Sequence, residues 1–157
     1  MILYHGSDVD IQEIELNQGL PKKDFGKGFY LTDVKKHAED VATRKSRISN
    51  RKPVVNKFQF EEDVMTDKTL KVKIFSEYSL EWAEFVKKNR TGEPVEQYDI
   101  VYGPVADDTV GLQIRLLIDG LSTMETFLER LKYYKGITFQ YFFGTEAALT
   151  HLKKINS

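Results

Sequence analysis

Three short segments, far apart in the chain, carry the side chains best suited to chemistry. They are Tyr4-His5-Gly6-Ser7, Gly26-Lys27-Gly28-Phe29-Tyr30-Leu31-Thr32-Asp33, and Phe139-Gln140-Tyr141-Phe142-Phe143-Gly144-Thr145-Glu146. Together they set a histidine, a tyrosine and a hydrogen-bonding amide on or beside three separate apolar strands. A histidine followed by Gly-Ser suits a ligand-facing turn, because glycine lets backbone approach a planar ring closely. Taken alone, His5 is better read as filling a polar notch at a strand end, and the other two segments are what favour the ligand-facing reading. The glycines at 26 and 28 precede a strand instead of linking a strand to a helix N-terminus, so neither phosphate-loop fingerprint fits. Gln140 brings a hydrogen-bond acceptor without a charge.

Composition narrows the chemistry further. The 157 residues are enough for one domain with a real core. There is no cysteine, hence no disulfide framework, no thiol nucleophile and no cysteine-ligated zinc. The three histidines, His5, His37 and His151, lack the close spacing of a metal site, and no metal is expected. A net charge of −1 gives no global attraction to nucleic acid or acidic membranes. Met1 leads straight into Ile2-Leu3-Tyr4-His5, with no basic stretch and no apolar run of signal-peptide or membrane-spanning length, which predicts a cytoplasmic protein.

The elements that must position these residues follow from patterning. Met1 to Tyr4 reads as a short strand interrupted by His5-Gly6-Ser7, and Val9 to Leu16 as an extended segment. Gly28 to Leu31 reads as an aromatic strand. Thr32 or Asp33 then caps a helix through Ser46, with Val34, Ala38, Val41 and Ala42 as its apolar stripe. Val54 to Phe60 alternates as a strand. Lys71 to Phe75 reads as an extended or irregular connection. Ser79 caps Leu80 to Lys88, whose Trp82, Phe85 and Val86 point to a core. Tyr98 to Pro104 is a strand entering a turn, Thr109 to Leu117 and Thr123 to Lys132 are helices, and Ile137 to Phe143 is an aromatic strand. Thr145 caps a last helix, Glu146 to Lys154. Strands mixed with short helices, without regular βαβ alternation, predict an α+β fold in a single domain spanning 1–157.

The set of His5-Gly6, Gly28-Phe29-Tyr30-Leu31-Thr32-Asp33 and Gln140 resembles the NAD-binding site of the ADP-ribosyltransferase superfamily, in its diphtheria-toxin and poly(ADP-ribose) polymerase branch. With Tyr98-Asp99-Ile100-Val101-Tyr102-Gly103-Pro104-Val105-Ala106-Asp107-Asp108, the likeness extends to a small bacterial family within it, nearly the whole chain long. The resemblance implies split antiparallel β-sheets flanked by helices, with NAD as substrate and no metal. It implies a histidine (His5) bonding a ribose hydroxyl, a glycine backbone (Gly6) pairing with the nicotinamide carboxamide, and Ser7 and Phe29 beside them. Tyr30 would stack on nicotinamide and Thr32 would brace the site. The branch has a second aromatic eleven positions on, where this chain has Val41, which covers a ring by apolar contact and cannot stack on it. Transferases of this branch with strong activity carry glutamate at the position of Gln140. There a carboxylate opposes the positive charge that develops on the ribose, and glutamine supplies none.

The resemblance therefore leaves two functional expectations. One is an NAD-dependent mono-ADP-ribosyltransferase with His5, Tyr30 and Gln140 as its catalytic set and a macromolecular acceptor, protein rather than nucleic acid, with no membrane partner. The other is a catalytically weak or inactive NAD, ADP-ribose or protein-binding module on the same fold. Glu146 reads as a first-turn helix residue beside Thr145 instead of a replacement for Gln140. Asp107 and Asp108 read either as carboxylates at the cleft rim or as the cap of the next helix. The basic run Arg44, Lys45, Arg47, Arg51 and Lys52 reads as a solvated helix end, with a local phosphate or nucleic-acid contact, unsupported by aromatic interleaving, as the other reading.

Overall fold

The computed structural model describes residues 1–156, and its first strand, β1 (Ile2–Ser7), runs on through His5-Gly6-Ser7 instead of stopping before them. The elements that follow are β2 (Phe29–Leu31), α1 (Lys35–Ser49), β3 (Val54–Phe60), β4 (Val72–Ile74) and α2 (Leu80–Thr91). After them come β5 (Ile100–Val105), α3 (Asp108–Ile118), α4 (Met124–Leu131), β6 (Thr138–Phe143), α5 (Glu146–Leu149) and β7 (Leu152–Ile155). The fold is α+β. One sheet has the order β1-β3-β7 and is antiparallel throughout; the other has the order β2-β6-β5-β4. The second sheet departs from the expected antiparallel pattern at its edge, where β4 runs parallel to β5.

Period-two alternation explains why the second sheet is covered on both faces. Phe29, Leu31, Ile100 and Phe143 face the first sheet and join Leu3, Phe58 and Phe60 in one core. Their neighbours Tyr30, Val101 and Phe142 face the opposite way, into a core with Trp82, Val86, Val110, Ile114 and Phe127 from α2, α3 and α4. Trp82 is fully buried, and its indole N–H donates to Pro104 O at 2.7 Å, so its polar atom is satisfied inside the core. The side-chain caps predicted at Ser79 and Thr145 are formed, and Thr123, read as the first helical residue, is instead the cap of α4; each hydroxyl accepts a backbone N–H three residues ahead.

Three local expectations are corrected, and the extended reading of Lys71 to Phe75 is made specific. Val9 to Leu16 is not a strand; the chain bends there around buried Asn56, which accepts from Ile11 N–H at 2.8 Å and donates to Val9 O at 3.1 Å. Helix α1 begins at Lys35, not after a Thr32 or Asp33 cap, because Thr32 pairs with Tyr4 and its hydroxyl accepts from Val34 N–H. Lys71 to Phe75 contains β4, which needs β5 as its partner. The last helix stops at Leu149, and β7 returns along β3. His151 thus lies in the turn between α5 and β7, its Nδ1 3.1 Å from Glu61 Oε2. Among the described residues, no helix is long and apolar enough to cross a membrane, and no group of three or more His, Cys, Asp or Glu side chains is arranged to hold a metal ion.

Candidate functional site

The cleft arises where β1 and β2 part. Tyr4 and Thr32 exchange both backbone hydrogen bonds, at 2.7 and 2.9 Å, and tie the two sheets together at one point. Continuing that antiparallel register would set Gly6 opposite Tyr30. Instead the ladder stops there, and the His5 imidazole reaches β2 by its side chain, with Nδ1 2.6 Å from Tyr30 O. By strand alternation the N–H and C=O of Gly6 point to the same edge as those of Tyr4, so they face the opened gap and not β3. The Gly6 carbonyl accepts there from Lys45 Nζ at 3.2 Å.

Helix α1 roofs this gap at very short range. A Cβ on Gly6 would stand 2.1 Å from Ala38 O and 2.8 Å from Ala42 N, so only glycine lets the helix sit on the strand. Ala38, Ala42 and Ser46 form the buried stripe against β1. The neighbouring stripe, His37, Val41, Arg44, Lys45 and Ile48, lines the cleft. Val34, expected in the apolar stripe, stands at the helix start and is 41% exposed. The opposite wall is the loop before β2, turned at Gly26 with φ +100° and closed by Gly26 N–H to Lys23 O.

The resulting cleft has a volume of about 690 Å³. Of the residues expected at a site, His5, Gly6, Tyr30, Thr32, Val41 and Gln140 line it together. Ser7 and Phe29 do not. Ser7 is buried, with its hydroxyl accepting from Val9 N–H, and Phe29 lies beneath His5, ring centroids 4.2 Å apart. Asp107 caps α3 through Val110 N–H and accepts from Tyr134 OH, so it serves the fold outside the cleft. Glu146 is exposed in the first turn of α5.

The electrostatics of the wall follow from burial. Burial holds the His5 pKa down at about 4 and outweighs the opposing pull of the Tyr30 carbonyl; Lys45 and Lys23 lower it further. A carbonyl only accepts, so Nδ1 carries the proton and Nε2 keeps a free lone pair on the cleft side. Tyr30 is buried, its hydroxyl donating to Gly26 O at 2.7 Å and accepting from Phe25 N–H at 3.0 Å. Burial raises the phenol's pKa, and Tyr30 stays a neutral ring. Lys23 Nζ lies over that ring, 4.4 Å from its centroid. Gln140 is half-buried on β6 opposite Gly103, and its side-chain amide makes no hydrogen bond among the described residues.

Sequence reading missed Lys22, Lys23 and Arg90 on the wall and gave a phosphate contact only as the second reading of the run that holds Arg44 and Lys45. Among the described residues, Lys22, Lys23, Arg44, Lys45 and Arg90 line the cleft with a single carboxylate, Asp24. Asp24 is already engaged: Arg90 grips one oxygen through Nε and a second guanidinium nitrogen at 2.7 and 2.6 Å, and Ala106 N–H donates to the other at 2.7 Å. Nothing in local sequence marks a loop aspartate as the partner of an arginine 66 residues away. Arg44 and Lys45, read as a solvated helix end, stand instead on the cleft side of α1. No curated protein and no solved structure matches the chain. A family model does match, over residues 1–154, and the chain belongs to the family it describes, Protein of unknown function (DUF3990).

Proposed function

We propose that the chain is an NAD-dependent mono-ADP-ribosyltransferase that cleaves the nicotinamide–ribose bond and passes ADP-ribose to a macromolecular acceptor, protein rather than nucleic acid. The observation that carries this reading is the meeting of His5, Gly6, Tyr30, Val41 and Gln140 in one cation-walled cleft. Each offers what the dinucleotide needs. His5 Nε2 accepts from a ribose hydroxyl. The Gly6 edge offers a donor and an acceptor side by side, matching a carboxamide. Tyr30 offers a ring and Val41 an apolar cover, while the uncommitted Gln140 amide accepts from the ribose 2′-hydroxyl. The cationic wall suits the diphosphate.

In the reaction, the bond from C1′ to the pyridinium nitrogen breaks and its electron pair stays with nicotinamide, which leaves neutral. The acceptor's nucleophile bonds C1′ and releases its proton to water. Gln140 has no basic lone pair for that proton, Asp24 is held by Arg90, and His5, with a pKa of about 4, is a weak base. The acceptor must therefore bring a competent nucleophile.

A second reading is favoured by one specific observation: among the described residues, no free carboxylate lines the cleft. On it, the chain binds NAD or ADP-ribose with little turnover. Incubation of the protein with labelled NAD and cell lysate separates the two readings. Released nicotinamide with labelled macromolecules is the expected result. Binding by calorimetry without release transfers the conclusion to the module, and no binding at all refutes both.

A further inference from the structure

Lys23 and Lys45 are cations without anions. Neither forms a salt bridge among the described residues, although the surface pairs elsewhere show that lysines of this chain readily find carboxylates. Both line the cleft, and both are parked on uncharged groups: Lys23 on the Tyr30 ring and Lys45 on the Gly6 carbonyl. Desolvation is the main cause that lowers both pKa values; Lys45 lowers Lys23 further and Arg44 lowers Lys45, while Asp24 and Asp8 oppose the shift without forming a salt bridge to either lysine. Arg44 and Lys22 stand in the same wall.

We propose that Lys23 and Lys45 form a diphosphate-binding pair at this cleft, selecting ligands that carry an organic diphosphate over the bare nicotinamide nucleoside. The proposal deepens the reading above and rests on it only in taking the diphosphate to be that of a dinucleotide. An anion with two adjacent charges satisfies both ammoniums at once, through ion-paired hydrogen bonds that neither makes among the described residues. The parking places are also the two surfaces that a stacked pyridinium and its carboxamide would use. A ligand without phosphates must displace both lysines and gains nothing from them. Its pyridinium charge is moreover repelled by them. The diphosphate thus gives the displaced lysines somewhere to go.

The test compares ADP, which has the diphosphate and no nicotinamide, with nicotinamide riboside, which has the reverse. Both are titrated by NMR and calorimetry into the wild-type protein and into Lys23→Met and Lys45→Met. The expected result is ADP binding that weakens about tenfold in each variant, the size of a lost charge-assisted hydrogen bond. Nicotinamide riboside should bind the variants as well as or better than the wild type. ADP affinity that does not respond to either substitution overturns the pair, as does a wild-type protein that does not bind ADP. If both ligands weaken together, Lys23→Arg and Lys45→Arg decide: recovery of ADP binding with the charge supports the pair, and no recovery overturns it. Failure of the transferase reading looks different. There ADP binding still depends on the two lysines, but NAD binds no more tightly than ADP and releases no nicotinamide.

Discussion

The His5 imidazole reaches β2 where the backbone ladder stops, its Nδ1 2.6 Å from Tyr30 O. One side chain therefore links β1 to β2, fixes its own tautomer and presents Nε2 to the cleft. The same contact ties the two most distinctive residues of the first half of the chain into one unit.

Because burial keeps the His5 pKa at about 4, below its ordinary 6.5, the folded protein binds fewer protons than the unfolded chain between those values. The stabilising contribution is therefore complete above pH 6.5 and is lost as pH falls toward 4. Denaturation of wild type should show stability falling over that window, with a shallower slope in His5→Gln. A histidine resonance titrating near 6.5 and assigned to His5 would contradict this.

Two glycine-to-alanine changes should have opposite signs. Gly6→Ala drives a methyl group into the α1 backbone and should cost about 3 kcal/mol, at the upper end for overpacking. Gly111→Ala, inside α3 with its nearest neighbour 3.9 Å from the new Cβ, should stabilise by about 0.5–1 kcal/mol through helix propensity. Urea titration of both variants measures the difference.

The grip of Arg90 on Asp24 fastens the pre-β2 loop to α2, and Ala106 N–H extends it to the end of β5. Arg90→Ala leaves a buried carboxylate without its cation and should destabilise by about 3 kcal/mol. Adding Asp24→Asn should recover part of that loss, because the amide carries no charge to leave uncompensated. A double-mutant cycle that gives purely additive effects would show that the pair is not coupled.

Turnover tests the role of Gln140. Gln140→Glu should raise nicotinamide release about a hundredfold, the scale of one preorganised electrostatic group. The gain should fall in kcat, since the charge develops in the transition state. Glu146→Gln, exposed on α5 away from the cleft, should change little. Loss of activity in Glu146→Gln, with Gln140 indifferent, would reverse the assignment.

What the sequence determined by itself is local. Alternation in Val54 to Phe60 specifies β3, hydroxyls at Ser79 and Thr145 specify helix starts, and the mixed order of elements specifies an α+β class. These rest on contacts within a few residues, which a linear pattern encodes directly. His5, Tyr30 and Gln140 were legible as a set because each lies on or beside a distinctive apolar run. What tertiary structure decided rests on partners distant in the chain. Lys71 to Phe75 and Leu152 to Ile155 become strands only when β5 and β3 accept their backbone bonds, since strand formation depends on cross-strand packing more than on local preference. The cation wall was hidden for a related reason. A lysine or arginine in a linear pattern reads as solvated, and only the concave meeting of α1, the pre-β2 loop and α2 turns Lys23, Lys45 and Arg90 toward one space, where low solvation makes their charge matter.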